Sequence, residues 1–273
     1  MRPVVRACIF LFILAAFPVS AAPVKELWPD LAGFDEMSKE SVDHAIWDAF
    51  LRKYVKDDPN KLNRVDYSGV SETDRKNLER YIETLTDLRV TTLSRQDQLP
   101  YWINLYNALT VKVILDHYPV KSIRDIDISP GLFSSGPWGK KLVTIEDHPV
   151  SLDDIEHRLL RPIWNDPRIH YAVNCASVGC PDLIAKAYTS DNTDHLLSEN
   201  AARYINSDRG VKIEGGEIVV SKIYDWFQED FGGAEKGVIQ HLLKYATGPR
   251  KAALGKAKDI DGYIYDWSLN GLE

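Results

Sequence analysis

The segment Ile169-His-Tyr-Ala-Val-Asn-Cys-Ala-Ser-Val-Gly-Cys-Pro181 places one imidazole, His170, and two thiols, Cys175 and Cys180, in a single short run. These are the parts of thiol chemistry: a thiolate attacks an electrophile and an imidazole takes up its proton. Read for shape, Ile169 to Val173 is a short buried strand and Ala176 to Gly179 is small enough for a tight loop. Pro181 suits the first turn of a helix carrying Leu183, Ile184, Ala187 and Tyr188. Cys175 then ends a strand and Cys180 begins a helix, where the dipole favours a thiolate. In an unbroken strand residues 170 and 175 face opposite sides. His170 therefore reaches Cys175 only if the chain turns at Asn174-Cys175.

Two other helices must position this segment. In the first, opened by Ser151 and Asp154 as a cap, a rotation of about 100° per residue from Leu152 puts Glu156 at about 40°, on the apolar face with Ile155, Leu159 and Ile163. His157, at about 140°, points away. An inward carboxylate either orients a catalytic imidazole or serves as a buried structural partner. The second helix, Gln98 to Tyr118, is apolar almost all round, and Pro100 is tolerable there only in the first turn. Asn104 and Asn107 lie about 60° apart on it and both face inward. Each buried amide needs partners: these are either loop backbone or a substrate, whose developing oxyanion such an amide polarises.

The remaining pattern is mostly helical. Ser38 caps a helix with Val42, Ile46, Ala49, Phe50 and Tyr54 on one face, and Ser71 opens another with Leu78, Tyr81, Ile82, Leu85 and Leu88 inward. Ser129 to Gly139 is a long loop carrying Phe133 and Trp138, either as a cover over a cleft or as pegs into the core. Short hairpins fit residues 141–150 and, across Gly215-Gly216, residues 211–220. Helices follow from Ser221 and from Glu235, and the aromatic ending 262–270 reads as a docked strand. The expected class is α+β: a predominantly helical single domain with a small sheet built from short hairpins.

The stretches Tyr-Trp-Ile-Asn-Leu-Tyr-Asn-Ala (101–108), Ser-Leu-Asp-Asp-Ile-Glu-His (151–157) and 169–181, together with the ending Tyr-Asp-Trp-Ser-Leu-Asn (265–270), resemble the uncharacterised family known as domain of unknown function 547. The resemblance runs from about residue 98 to 273; the helical segment 38–90 precedes it. It implies that Asn104, Asn107, Glu156, His170, Cys175 and Cys180 belong to a shared pattern. It implies no reaction.

The N-terminus narrows the setting. Arg2 and Arg6, an apolar run from Ala7 to Phe17 and the small residues Val19-Ser20-Ala21-Ala22 follow the plan of a secretory signal peptide over residues 1–22, leaving 23–273 as the globular part. The run is shorter than the roughly 20 residues a spanning helix needs, so the mature protein is expected in the periplasm or secreted, without a transmembrane anchor. The full chain carries 33 basic and 40 acidic residues. Loss of Arg2 and Arg6 leaves about nine net negative charges and no basic stripe, so nucleic acid is not an expected partner.

Outside the cytoplasm Cys175 and Cys180 are expected first as a disulfide, whose loop of about six residues gives roughly 2 kcal/mol of stabilisation. A free Cys175 thiol is the second reading. A zinc set of His170, Cys175, Cys180 and Glu156 is the third, although the spacing matches no recognised zinc signature. No cofactor is expected. Two functions follow: a Cys-dependent hydrolase or acyltransferase with Cys175 as nucleophile, His170 as base and Glu156 orienting it, or a non-catalytic domain that binds a small molecule, peptide or glycan beside a Cys175–Cys180 disulfide.

Overall fold

The structure, a computed structural model, describes residues 23–58, 62–131 and 135–272. The signal-like residues 1–22 and Phe133 lie outside the described residues.

Local capping sets most helix starts. Ser71 Oγ accepts from the Asp74 N–H and opens α2, Glu72–Asp87; Ser94 Oγ does the same for Asp97 and opens α3, Arg95–His117. The first helix, α1, spans Ala45–Tyr54 and begins later than Ser38 would set it. The cause is Asp43, whose carboxylate accepts from the Ala45 N–H at 2.8 Å and turns the chain there. Pro100 falls inside α3 and not in its first turn, because Ser94 sets the start so early. Of the described helices, none is long and apolar enough to cross a membrane.

Helices dominate, and the strands form three small sheets, so the class is α+β. Strand β1 (Val55–Lys56) pairs antiparallel with β2 (Arg64–Val65), and β3 (Val143–Ile145) with β4 (His148–Val150). Strand β5 (Val211–Glu214) pairs antiparallel with β6 (Glu217–Ser221), through a Gly215-Gly216 turn whose φ values of 61° and 95° suit glycine. Strand β7 (Gly262–Ile264) then joins β6 in parallel; the strand expected over 262–270 stops there, and the rest of the ending makes isolated bridges, Leu269 with Ser177 and Gly271 with Val65.

After β4 the chain enters a π-helix, Asp154–Leu160, that runs straight into α4, Arg161–Trp164. A 3-10 helix, Pro167–Tyr171, follows, and then α5, Thr193–Ile205. Beyond β6 come α6, Ile223–Trp226, α7, Glu235–Tyr245, and α8, Gly248–Leu254.

Apolar burial gathers in two clusters. The larger runs from Leu31 to Leu197 around α1, α2 and α3; the smaller joins α5, β5, β6, α6 and α7. Each fully buried Leu, Ile or Val contributes roughly 1.5–3 kcal/mol. The 3-10 helix 167–171 lies where they meet, since Ile169 belongs to the larger and Tyr171 to the smaller. His170, between them, is therefore buried at the seam.

Candidate functional site

Four expectations for the site change in the structure. Residues 167–171 form a 3-10 helix in place of a strand, so the alternation that set residues 170 and 175 on opposite faces does not apply. Residues 181–188 are not helical. Their backbone is taken by side chains instead: Asn63 Nδ2 donates to the Leu183 carbonyl at 3.1 Å, Asp48 accepts from the Ala187 N–H at 2.9 Å, and Asn104 takes Tyr188. Cys180 consequently has no helix N-terminus behind it. Finally, His157 is buried and not outward, because the π-helical stretch departs from the 100° rotation and brings it onto Phe227, with ring centroids 5.8 Å apart.

The two asparagines of α3 hold loops. Asn104 Nδ2 donates to the Tyr188 carbonyl at 2.8 Å while its Oδ1 accepts from the Tyr188 N–H at 3.1 Å. Asn107 Nδ2 donates to the Ala172 carbonyl at 2.9 Å, and its Oδ1 accepts from the Asn174 N–H at 2.8 Å. Both face backbone, and Asn107 fixes the residues that lead directly into Cys175.

Asn174 then closes the thiol loop. Its Nδ2 donates to the Pro181 carbonyl at 2.7 Å, and its Oδ1 accepts from the Ala176 N–H at 2.9 Å. Ala176 is a fully buried alanine at φ 56°, a left-handed conformation costing about 1–2 kcal/mol that the surrounding bonds impose. This turn leaves Cys175 half-buried and Cys180 buried. Both are free cysteines, and the Cys180 sulfur accepts from the Cys175 N–H at 3.1 Å.

Two hydroxyls complete the surroundings of Cys175. Its sulfur lies 3.0 Å from Tyr265 Oη and 3.2 Å from Ser177 Oγ, which are themselves 2.9 Å apart. Tyr265 is brought there by the residues after β7: the Val178 and Gly179 N–H groups donate to the Ser268 and Asp266 carbonyls at 2.8 and 2.7 Å. That approach requires glycine, since a Cβ on residue 179 would stand 2.7 Å from the Asp266 nitrogen. Burial opposes a charge on Cys175, but hydrogen bonds from Cys180, Ser177 and Tyr265 more than offset it and bring its pKa below that of an ordinary thiol. Burial and the neighbouring Cys175 push Cys180 the other way, well above.

His170 is engaged elsewhere. Its Nε2 lies 2.8 Å from Asp230 Oδ2 and its Nδ1 3.4 Å from Glu156 Oε1, while Phe227 stacks on the ring at 4.2 Å. Burial disfavours its charge, yet the bonds to Asp230 and Glu156 outweigh that and raise its pKa. The ring is thus buried between two carboxylates that favour its protonated form. Arg161 extends the network, with Nε 2.6 Å from Asp230 Oδ2 and Nη2 2.6 Å from Glu229 Oε1, and Lys25 adds a contact at 3.1 Å. The structure therefore joins Glu156 to His170 but gives Cys175 hydroxyl neighbours in place of the imidazole. The zinc set is not assembled either: no group of three or more His, Cys, Asp or Glu among the described residues is placed to hold a metal ion.

Sequence reasoning missed Tyr265, Ser177, Asp230 and Asp153. Nothing in a single sequence ties Tyr265 or Asp230 to residues so far upstream. Asp153 had a visible signal, the acidic trio Asp153, Asp154 and Glu156 at one helix start. Burial first, then the charges of Glu156 and Asp154, push its carboxyl up to about 7.

An aromatic group surrounds Tyr265. Trp267 lies 4.6 Å from its ring and Trp226 4.9 Å, and Trp138 reaches Trp267 at 5.7 Å. All four rings are half-buried, and the loop residue Trp138 reaches the group through Trp267.

Comparison with curated proteins and with solved structures gives no match. A family model described as "Protein of unknown function, DUF547" matches residues 90–205, a stretch that holds Asn104, Asn107, Glu156, His170, Cys175 and Cys180 and stops short of Asp230 and Tyr265. Over residues 90–205, then, the chain is similar to the DUF547 family, with a match that begins slightly earlier than the motifs indicated and ends at the close of α5.

Proposed function

We propose that this chain is an exported thiol-dependent hydrolase or acyltransferase whose nucleophile is Cys175. The observation that carries the reading is the half-buried Cys175 sulfur with Tyr265 Oη at 3.0 Å and Ser177 Oγ at 3.2 Å, held on a left-handed turn. Hydroxyls at that range donate to a thiolate and stabilise it. The thiolate attacks a carbonyl carbon, the carbonyl oxygen takes the negative charge, and the adduct collapses to a thioester as the leaving group departs with a proton from solvent; water or an acceptor alcohol or amine then attacks the thioester and releases the Cys175 thiolate. Tyr265 and Ser177 stand beside the sulfur as donors where His170 was expected as a base, and His170 is held instead between Glu156 and Asp230. The substrates that fit an aromatic rim are peptides, glycans or small molecules. Nucleic acid is disfavoured by the acidic balance.

The test is alkylation by iodoacetamide of reduced protein, with the modified residue located by mass spectrometry. Cys175 should react at neutral pH faster than an unperturbed thiol, and Cys180 should not. An inert Cys175 in the folded, reduced protein refutes the proposal.

A second reading is favoured by the engagement of both His170 nitrogens, which leaves Cys175 without an imidazole base. In it the domain binds a peptide or glycan on Trp138, Trp226 and Trp267 without chemistry. Cys175→Ser then lowers stability yet leaves ligand binding intact, whereas the enzyme reading requires turnover to vanish.

A further inference from the structure

We propose that Cys175 and Cys180 form an attacking and resolving pair, so that the chain also performs thiol–disulfide exchange with external disulfides. The inference rests on the reading of Cys175 as a reactive thiol and adds a role for Cys180.

The geometry is that of a loop built around two sulfurs. Asn174 ties the Ala176 N–H to the Pro181 carbonyl, so one side chain bridges the start and the end of the loop. A turn in which the Cys180 N–H donates to the Ser177 carbonyl at 3.1 Å folds the second cysteine back beneath the first. The Cys180 sulfur then sits 3.1 Å from the Cys175 nitrogen. Access differs between the two. Cys175 is half-buried, while Cys180 is 3 % exposed. The ionisation preferences run in the same direction, with the outer thiol more acidic and the inner one held protonated.

The steps balance with an external disulfide as oxidant. The Cys175 thiolate attacks one sulfur of RSSR, the S–S bond breaks, and one RS⁻ leaves, giving Cys175–S–S–R. Cys180 loses its proton and attacks the Cys175 sulfur, expelling the second RS⁻. Two electrons have passed to the external disulfide, which departs as two thiols, and the protein holds a Cys175–Cys180 disulfide. An excess of reduced thiol reverses both steps. While the pair is oxidised, Cys175 is unavailable as a nucleophile for carbonyls.

The experiment treats fully reduced protein with oxidised glutathione and follows adducts by mass spectrometry, with liberated glutathione assayed alongside. Wild type should end as an intramolecular disulfide with two thiols released per chain. Cys180→Ser should halt at a stable glutathione adduct on Cys175, with one released. A wild-type reaction that stops at the same adduct overturns the resolving role while leaving the Cys175 nucleophile intact. No reaction at Cys175 with either glutathione or iodoacetamide overturns both. An adduct on Cys180 overturns the assigned order. The wild-type product alone decides the matter if Cys180→Ser does not fold.

Discussion

Tyr265→Phe removes one oxygen and little else. The ring keeps its neighbours Trp226 and Trp267, so the change removes only the hydroxyl that lies 3.0 Å from the Cys175 sulfur and 2.9 Å from Ser177 Oγ, and leaves Ser177 as the sulfur's remaining hydroxyl neighbour. A hydrogen bond to an ionised group is worth about 1.5–3 kcal/mol. At 1.36 kcal/mol per unit, its loss should raise the Cys175 pKa by about one to two units. The rate effect is smaller, because a thiolate of higher pKa is the better nucleophile. With a Brønsted coefficient of about 0.4–0.5, alkylation below the pKa should slow about threefold per unit, and the alkaline plateau should rise by a similar factor. The assay is the pseudo-first-order rate of iodoacetamide modification at Cys175 between about pH 5 and pH 10. Near-ultraviolet circular dichroism checks that the fold is retained. A midpoint that stays in place, or moves to lower pH, refutes the claim that this hydroxyl holds the thiolate.

Other expectations follow from the same contacts. Asn104→Ala strands the buried N–H and carbonyl of Tyr188 and should cost about 2–5 kcal/mol in urea unfolding, with an unchanged denaturant slope. Gly179→Ala sets a methyl against the Asp266 backbone; it should cost about 1–3 kcal/mol and also slow alkylation of Cys175, as Tyr265 is displaced with its segment. Burial lowers His44, His157 and His241 to about 4, from an ordinary value of 6.5. Below pH 6.5 the unfolded chain therefore binds more protons at these sites, and their contribution is lost as pH falls toward 4, by up to about 2 kcal/mol each at pH 5. Urea midpoints at pH 7 and pH 5 measure it, and an equal midpoint at both would contradict it. His170 has the opposite sign: its raised pKa makes its contribution complete below the ordinary value and lost as pH rises through the folded one, so His170→Gln should flatten the alkaline limb of the stability profile.

Much of this architecture was legible because local physics determines it. The caps at Ser71 and Ser151, the Gly215-Gly216 hairpin and the all-round apolar α3 follow from short-range bonding and periodicity, although Ser94 starts α3 three residues before the expected Gln98. The inward Glu156 and its meeting with His170 were also readable, since Glu156 falls on the buried side whichever helical rotation applies. The failures share one cause, which is distant groups overriding local preference. His157 is carried inward by the π-helix and held by Arg161 at 3.1 Å. Residues 181–188 give up a helix because Asn63, Asp48 and Asn104 supply their backbone partners. Asp230 and Tyr265, which decide what His170 and Cys175 can each do, arrive from 60 and 90 residues away, and no spacing rule reaches so far.

The residues after β7 carry one more consequence, in the order of synthesis. Leu269 bridges Ser177, the Asn270 carbonyl accepts from the Val65 N–H, and the Leu272 N–H donates to the Val65 carbonyl, so this late segment threads between β2 and the thiol loop. A growing chain presents Cys175 long before Tyr265 has been made. Until then the sulfur lacks one of the two hydroxyls that favour its charge. The Tyr265 hydroxyl joins the sulfur only once this late segment has docked against Val65 and the thiol loop.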